Sequence, residues 1–212
     1  MNVTAIIFDL DGVLCHTDQY HFRAWKQLAD RLGVPLDEQT NDRLRGVSRM
    51  GSLNIVLEKS SRVYSEQEKL AFAEEKNEAY KRLLLRMTPA DLPEGILSTL
   101  RELRSGGLLL AVGSSSRNTR LILSRLGLAD FFDAVADGTE ITRSKPDPEV
   151  FLLAAEKLGV DPSEAIVIED ADAGIRAARA GGFFTVGLGA AVKDSSADFS
   201  ITEMREILDL LQ

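Results

Sequence analysis

The chain has 212 residues, with 25 Lys+Arg against 33 Asp+Glu for a formal net charge of −8, and is 44% hydrophobic and 27% charged. That size and balance fit one large domain, or one domain carrying a smaller insertion, and exclude disordered and fibrous classes. The acidic surplus makes nucleic acid and anionic membrane poor partners.

In chain order, Ala5-Ile6-Ile7-Phe8 is a short apolar run stopped by Asp9-Leu10-Asp11-Gly12, which reads as a buried strand emerging into a loop. Residues 16–88 then show helical patterns without a convincing strand. His21, Trp25, Leu28 and Leu32 mark one helix face before Gly33. Ser65-Glu66-Gln67-Glu68 fits a capping box that opens a long helix with Ala73, Asn77, Tyr80 and Leu84 on one side. Leu108 to Val112 is a second strand, closed by Gly113-Ser114-Ser115-Ser116, and a helix is expected from about Asn118. Ala134–Ala136 is a weaker strand. Val150, Phe151, Ala154, Ala155 and Leu158 predict a helix capped at Gly159. Ala165 to Ile168 is a third clear strand, closed by Glu169-Asp170, followed by a helix to Gly181-Gly182 and a weaker strand over Phe184–Val186.

Apolar runs without polar alternation indicate strands covered on both faces. The strand–helix rhythm predicts an α/β fold with a Rossmann-like parallel sheet core, residues 1–15 and 89–212, and an inserted α-helical cap domain over 16–88. No apolar run approaches the ~20 residues of a membrane-spanning helix. Met1 to Asp11 lacks the basic segment of a signal peptide. Cys15 is the one cysteine, so no intrachain disulfide can form, and a reducing compartment fits. The expected setting is the cytoplasm and the expected assembly a monomer.

In open α/β sheets, ligands bind beyond the carboxyl ends of the strands. The three clear strands end in Asp9/Asp11, in Ser114 to Ser116, and in Glu169/Asp170. Lys145 precedes Pro146 and is expected in an extended segment. Oxygen donors without a histidine pair or thiolate suit Mg²⁺ rather than zinc. Hydroxyls and amides from Ser114 to Asn118 suit an anion. Carboxylates, Mg²⁺ and an ammonium around one phosphoryl group are what phosphoryl transfer needs, with one aspartate as nucleophile and a second carboxyl moving the proton. Alone, each motif has a bland reading: a turn for Asp9 and Asp11, an N-cap for Glu169-Asp170, a solvated surface lysine for Lys145.

Together, Asp9-Leu10-Asp11-Gly12-Val13, Ser114, Lys145-Pro146 and Glu169-Asp170 resemble the four ordered motifs of the haloacid dehalogenase superfamily. Within it, Leu44-Arg45-Gly46-Val47-Ser48-Arg49 with Ser52-Leu53, Tyr20 to Trp25, and Ser114-Ser115-Ser116-Arg117-Asn118 are similar to the β-phosphoglucomutase family. That resemblance implies interconversion of β-glucose 1-phosphate and glucose 6-phosphate, with a phosphosugar substrate and a bisphosphate activator. It implies Asp9 as nucleophile, Asp11 as general acid/base, and Ser114 and Lys145 on the transferring phosphoryl group. Mg²⁺ would be held by Asp9, the backbone carbonyl of Asp11, and Asp170, with Glu169 close by. Arg49, Ser116 and Asn118 would hold the distal phosphate, with Gly46 and Val47 on the sugar face.

Arg45, Ser48, Ser52, Ser115 and Arg117 join the expected substrate-binding set, and Thr17 falls at the family's hinge threonine. For His21 a catalytic contact and a packed histidine both fit, and for Trp25 a substrate wall competes with a core position. Cys15-His16, Met50-Gly51 and Arg117 depart from the family pattern; Gly51 is expected to loosen the loop, and Arg117 exchanges an ammonium for a bidentate fork. A phosphosugar phosphatase using the same half-reaction, and a non-catalytic phosphosugar sensor, stay open as alternatives.

Overall fold

The computed structural model describes residues 3–44, 47–189 and 197–211. The chain separates into two compact units, Met1–His16 with Met87–Gln212, and Thr17–Arg86. In chain order the elements are β1 (Ala5–Phe8), α1 (Asp18–Leu32), α2 (Glu38–Asp42), α3 (Arg49–Leu57), α4 (Glu66–Leu84), α5 (Ile96–Ser105), β2 (Leu109–Gly113), α6 (Thr119–Arg125), β3 (Ala134–Ala136), α7 (Glu149–Leu158), β4 (Ala165–Glu169), α8 (Asp172–Ala180), β5 (Phe184–Leu188), β6 (Phe199–Ile201) and α9 (Ile207–Leu210).

The first unit is a parallel sheet in the order β3-β2-β1-β4-β5-β6. This is a doubly wound arrangement, with β1 at the point where the strand order reverses. All four residues of β1 and all five of β4 are buried, because the helices of the α/β unit leave neither face of these strands to water. Ile7, Ala111 and Val167 from neighbouring strands pack with Val150, Phe151 and Ala154 of α7 and with Ala177 and Ala178 of α8. β6 went unpredicted for a physical reason: it is a three-residue edge strand with Ser200 exposed, too short and too polar to show as an apolar run. The left-handed residue after α8 is Gly182 rather than Gly181, whereas Gly159 caps α7 as expected.

The second unit is built from α1–α4. Trp25, Leu28 and Ala29 of α1 pack with Leu53 and Val56 of α3 and Ala73 of α4. The capping box at Ser65 forms in full: the Ser65 hydroxyl accepts from Glu68 N while the Glu68 carboxylate accepts from Ser65 N. The stretch expected as a loop around Arg49 is instead helical from Arg49 onward. Ser48 is its N-cap, accepting from Gly51 N at 3.2 Å, so Gly51 lies inside α3 and does not loosen a loop. Ser52 and Leu53, read as following that loop, are buried on the same helix.

Candidate active site

Parallel register brings the polar strand ends to one edge of the sheet. Phe8 is level with Val112 of β2 and Ile168 of β4, so Asp9 follows β1 beside Glu169 and next to the Gly113-Ser114 exit of β2. Asp9 N donates to Ile168 O at 3.0 Å, extending the ladder by one residue. The carboxylates of Asp9, Glu169 and Asp170 each supply an oxygen within 4.8 Å of the others. Asp170 fits only because residue 12 is glycine. At φ +86° the chain turns there, and a Cβ on Gly12 would lie 1.9 Å from Asp170 Oδ2.

Lys145 reaches into this cluster. Its Nζ donates to Asp9 Oδ1 and, at 2.6 Å, to Glu169 Oε1, and it sits 4.4 Å from the centre of the Phe151 ring. The segment is not extended as expected: Lys145 occupies a turn, with a cis bond to Pro146. Burial alone favours the neutral amine, but the charges of Asp9 and Glu169 outweigh it and hold Lys145 protonated. Asp170 moves the other way. Burial first, then the charges of Glu169 and Asp9, push its carboxyl up to about 7. Three carboxylates around one ammonium leave surplus negative charge. An all-oxygen set with that surplus fits a hard divalent cation. The Asp11 carboxylate is not among the three; the donor expected from that residue is its backbone carbonyl. Glu169 is not an N-cap: Ala171 caps α8, and the Glu169 carboxylate accepts from Ala171 N at 2.8 Å.

Beside this cluster, the loop from Ser114 to Asn118 is braced by its own hydroxyls rather than left loose. Ser114 Oγ accepts from Ser116 N and Ser116 Oγ from Asn118 N, both at 3.2 Å. Ser115 Oγ accepts from Lys145 N at 3.5 Å, which ties the loop to the lysine turn. Ser114 and Asn118 are buried, Ser115 and Ser116 half-buried, and Arg117 exposed. Cys15 is buried with its thiol pushed up, by burial first and then by Asp11 and Asp9, so it is an inert packing residue.

The inserted unit holds a second polar cluster. The Lys76 ammonium, on α4, lies 2.8 Å from His21 Nδ1 and 4.7 Å from the ring centres of both Trp25 and Tyr80. His21 stacks on Tyr80 with ring centroids 4.0 Å apart, and Tyr80 Oη donates to Thr17 Oγ1 at 2.9 Å. Burial, then the Lys76 and Arg49 charges, lowers the His21 pKa well below its usual 6.5. The imidazole is therefore neutral, with Nδ1 accepting from the ammonium. Arg49 Nη2 donates to Asn77 Oδ1 at 3.0 Å. Ser52 Oγ donates to Val47 O at 3.4 Å, while Val47 and Ser48 are exposed. Trp25 is 2% exposed and belongs to the helical core. Arg45 and Gly46 lie outside the described residues.

Lys76 and Asn77 were not singled out as site residues from the sequence. The available signal was their polarity on the face of α4 that also carries Ala73 and Tyr80. A lysine and an asparagine buried there need polar partners.

Residues 3–182 match the family model of haloacid dehalogenase-like hydrolases. This chain belongs to that family. Its likeness to family members is close to full length. It is 40% identical over 210 residues to β-phosphoglucomutase of Bacillus subtilis (strain 168), covering 98% of this chain and 93% of that one. It is 34% identical over 184 residues to the fructose-1-phosphate phosphatase YqaB of Escherichia coli (strain K12), covering 85% and 94%. The crystal structure of β-phosphoglucomutase from Clostridium difficile superposes with a TM-score of 0.90 at 39% identity, covering 99% of this chain and 96% of the other. The chain thus falls in the β-phosphoglucomutase branch of the haloacid dehalogenase-like family, with that family's parallel core and inserted helical cap. Family members use a divalent metal, and the carboxylates of Asp9, Glu169 and Asp170 fit one.

Proposed function

We propose that this protein is a Mg²⁺-dependent phosphosugar mutase that interconverts β-glucose 1-phosphate and glucose 6-phosphate. The observation that carries the reading is the Lys145 ammonium set between Asp9 and Glu169 at the sheet edge, in a chain 40% identical to a β-phosphoglucomutase.

Asp9 is the nucleophile. Its carboxylate oxygen bonds to phosphorus of the bound bisphosphate, the P–O bond to the sugar breaks, and Asp11 donates the proton the leaving oxygen needs. In the reverse half-reaction Asp11 accepts the proton of the sugar hydroxyl as that oxygen takes the phosphoryl group from Asp9. Transfer to the other hydroxyl gives glucose 1,6-bisphosphate as the intermediate between the two monophosphates. Lys145 and Ser114 hold the phosphoryl oxygens, and Glu169 orients Lys145. Asp9, Asp170 and the Asp11 carbonyl would hold Mg²⁺, with Glu169 close by, and the ion would supply charge neutralisation of the phosphoryl group.

Arg49, Ser116 and Asn118 receive the distal phosphate, with Arg45, Arg117, Ser115, Gly46, Val47, Ser48 and Ser52 contributing around the sugar phosphate. Thr17 and His21 position the start of the inserted unit through Tyr80 and Lys76. Trp25 supports them from the helical core. The domain of residues 16–88 acts as the substrate cap on a core of residues 1–15 and 89–212, and the enzyme works as a cytoplasmic monomer.

The test supplies β-glucose 1-phosphate with catalytic glucose 1,6-bisphosphate and Mg²⁺, and follows glucose 6-phosphate and free phosphate together. Glucose 6-phosphate should dominate. Dominant phosphate release would replace the mutase with a phosphatase, the activity named for the E. coli relative.

A further inference from the structure

Gly174 is the third residue of α8, and its backbone gives no reason for a glycine. Its φ is not among the positive ones, and alanine is the better helix former at such a position. The space beside it gives the reason. A Cβ built on Gly174 would lie 1.8 Å from Glu169 Oε1, 2.0 Å from Cδ and 2.6 Å from Cγ. Real Cβ atoms do not approach that closely, so the carboxylate occupies the volume a side chain would fill. Glu169 is 2% exposed and has no open solvent to swing into. Both its oxygens are engaged: Oε2 accepts from Ala171 N at 2.8 Å, and Oε1 accepts from Lys145 Nζ at 2.6 Å.

We propose that Gly174 is a positioning residue: the missing side chain on α8 is the socket that seats the Glu169 carboxylate and, through it, Lys145. The role does not require that Gly174 touch substrate. Moving Glu169 by the length of a methyl contact removes one of the two carboxylate acceptors that aim the ammonium. The inference rests on the phosphoryl-transfer reading of this site.

The test is a double-mutant cycle of Gly174→Ala and Glu169→Ala, in which coupling appears as non-additivity. Gly174→Ala alone should lower kcat on the order of tenfold, with KM for the phosphosugar changed less than about twofold, because the loss falls on the transferring group. Calorimetric titration with Mg²⁺ alone, without substrate, should show weaker binding in the same variant. In the Glu169→Ala background, adding Gly174→Ala should change neither quantity, and if the single variant melts earlier, the double variant should recover that loss. Equal losses in both backgrounds would overturn the proposal, as would wild-type kcat and Mg²⁺ binding in Gly174→Ala. If wild-type protein transfers no phosphoryl group from any phosphosugar, the functional reading fails, and the Mg²⁺ titrations across the four proteins still decide the Glu169 socket.

Discussion

The two units gather polar groups in different ways. In the core, Asp9, Glu169 and Asp170 sit at strand ends and are crowded by register, and Lys145 pairs with two of these three carboxylates, Asp9 and Glu169. In the inserted unit, Lys76, His21, Tyr80 and Thr17 come from two helices and the start of one of them, and their contacts match donor to acceptor: ammonium to imidazole, phenol to hydroxyl. The first cluster is electrostatically unfinished, as the raised Asp170 carboxyl shows. The second is closed, with a neutral histidine accepting from a lysine. Unbalanced charge held by a rigid sheet is what a site for a metal and a phosphoryl group needs, whereas a satisfied network stabilises and orients the helices that carry it.

The largest expected effect separates chemistry from stability. Asp9→Asn should cost at least about 10⁴-fold in kcat. Its melting temperature should stay level or rise, because one of three mutually repelling carboxylates becomes neutral. Steady-state rates and a thermal melt on the same preparation check this, and a large loss of stability would show the core cluster to be structural instead.

Next comes Trp25→Ala, which removes the largest buried side chain of α1 from the helical core. It should destabilise the inserted unit by ~3–5 kcal/mol. Hydrogen exchange should place the lost protection in residues 17–86 and leave the sheet protected. Uniform loss across both units would mean that they unfold as one.

Tyr80→Phe keeps the ring that stacks on His21 and deletes the hydroxyl that donates to Thr17. About 1 kcal/mol of stability should go with it, read from denaturant midpoints.

The smallest effect is a pH slope. His21 has a folded pKa below its unfolded 6.5, so as pH falls through that value the unfolded chain takes up a proton that the folded one refuses. Stability from this group is complete above about 6.5 and declines below it. His21→Gln retains an acceptor for Lys76 and should flatten the melting-temperature profile between pH 7 and pH 5. An unchanged slope would mean that the histidine is protonated in the fold.

Legibility in the sequence followed the same division. The strands bearing the core motifs were readable because burial on both faces produces unbroken apolar runs, and the polar residue that stops each run marks its carboxyl end. The capping box at Ser65 was readable because it is a local hydrogen-bond pattern. Less visible was α3, where Ser48 as an N-cap was a usable sign and Gly51 argued misleadingly for a loop. Lys76 stood out least, since its burial depends on Trp25 and Tyr80, the first of them on another helix.

The order of elements and the identity of the acids and the lysine are properties of the chain alone, because short-range periodicity and strand-ending residues are written locally. Which oxygen Lys145 reaches, why Asp170 holds its proton to higher pH, and why positions 12 and 174 tolerate no side chain are decided only when parallel strands align and a helix folds back over them. Those outcomes depend on distances of a few ångströms between groups that only the folded chain brings together, Lys145 with Asp9 and Gly12 with Asp170 being more than a hundred positions apart, and no apolar periodicity encodes them.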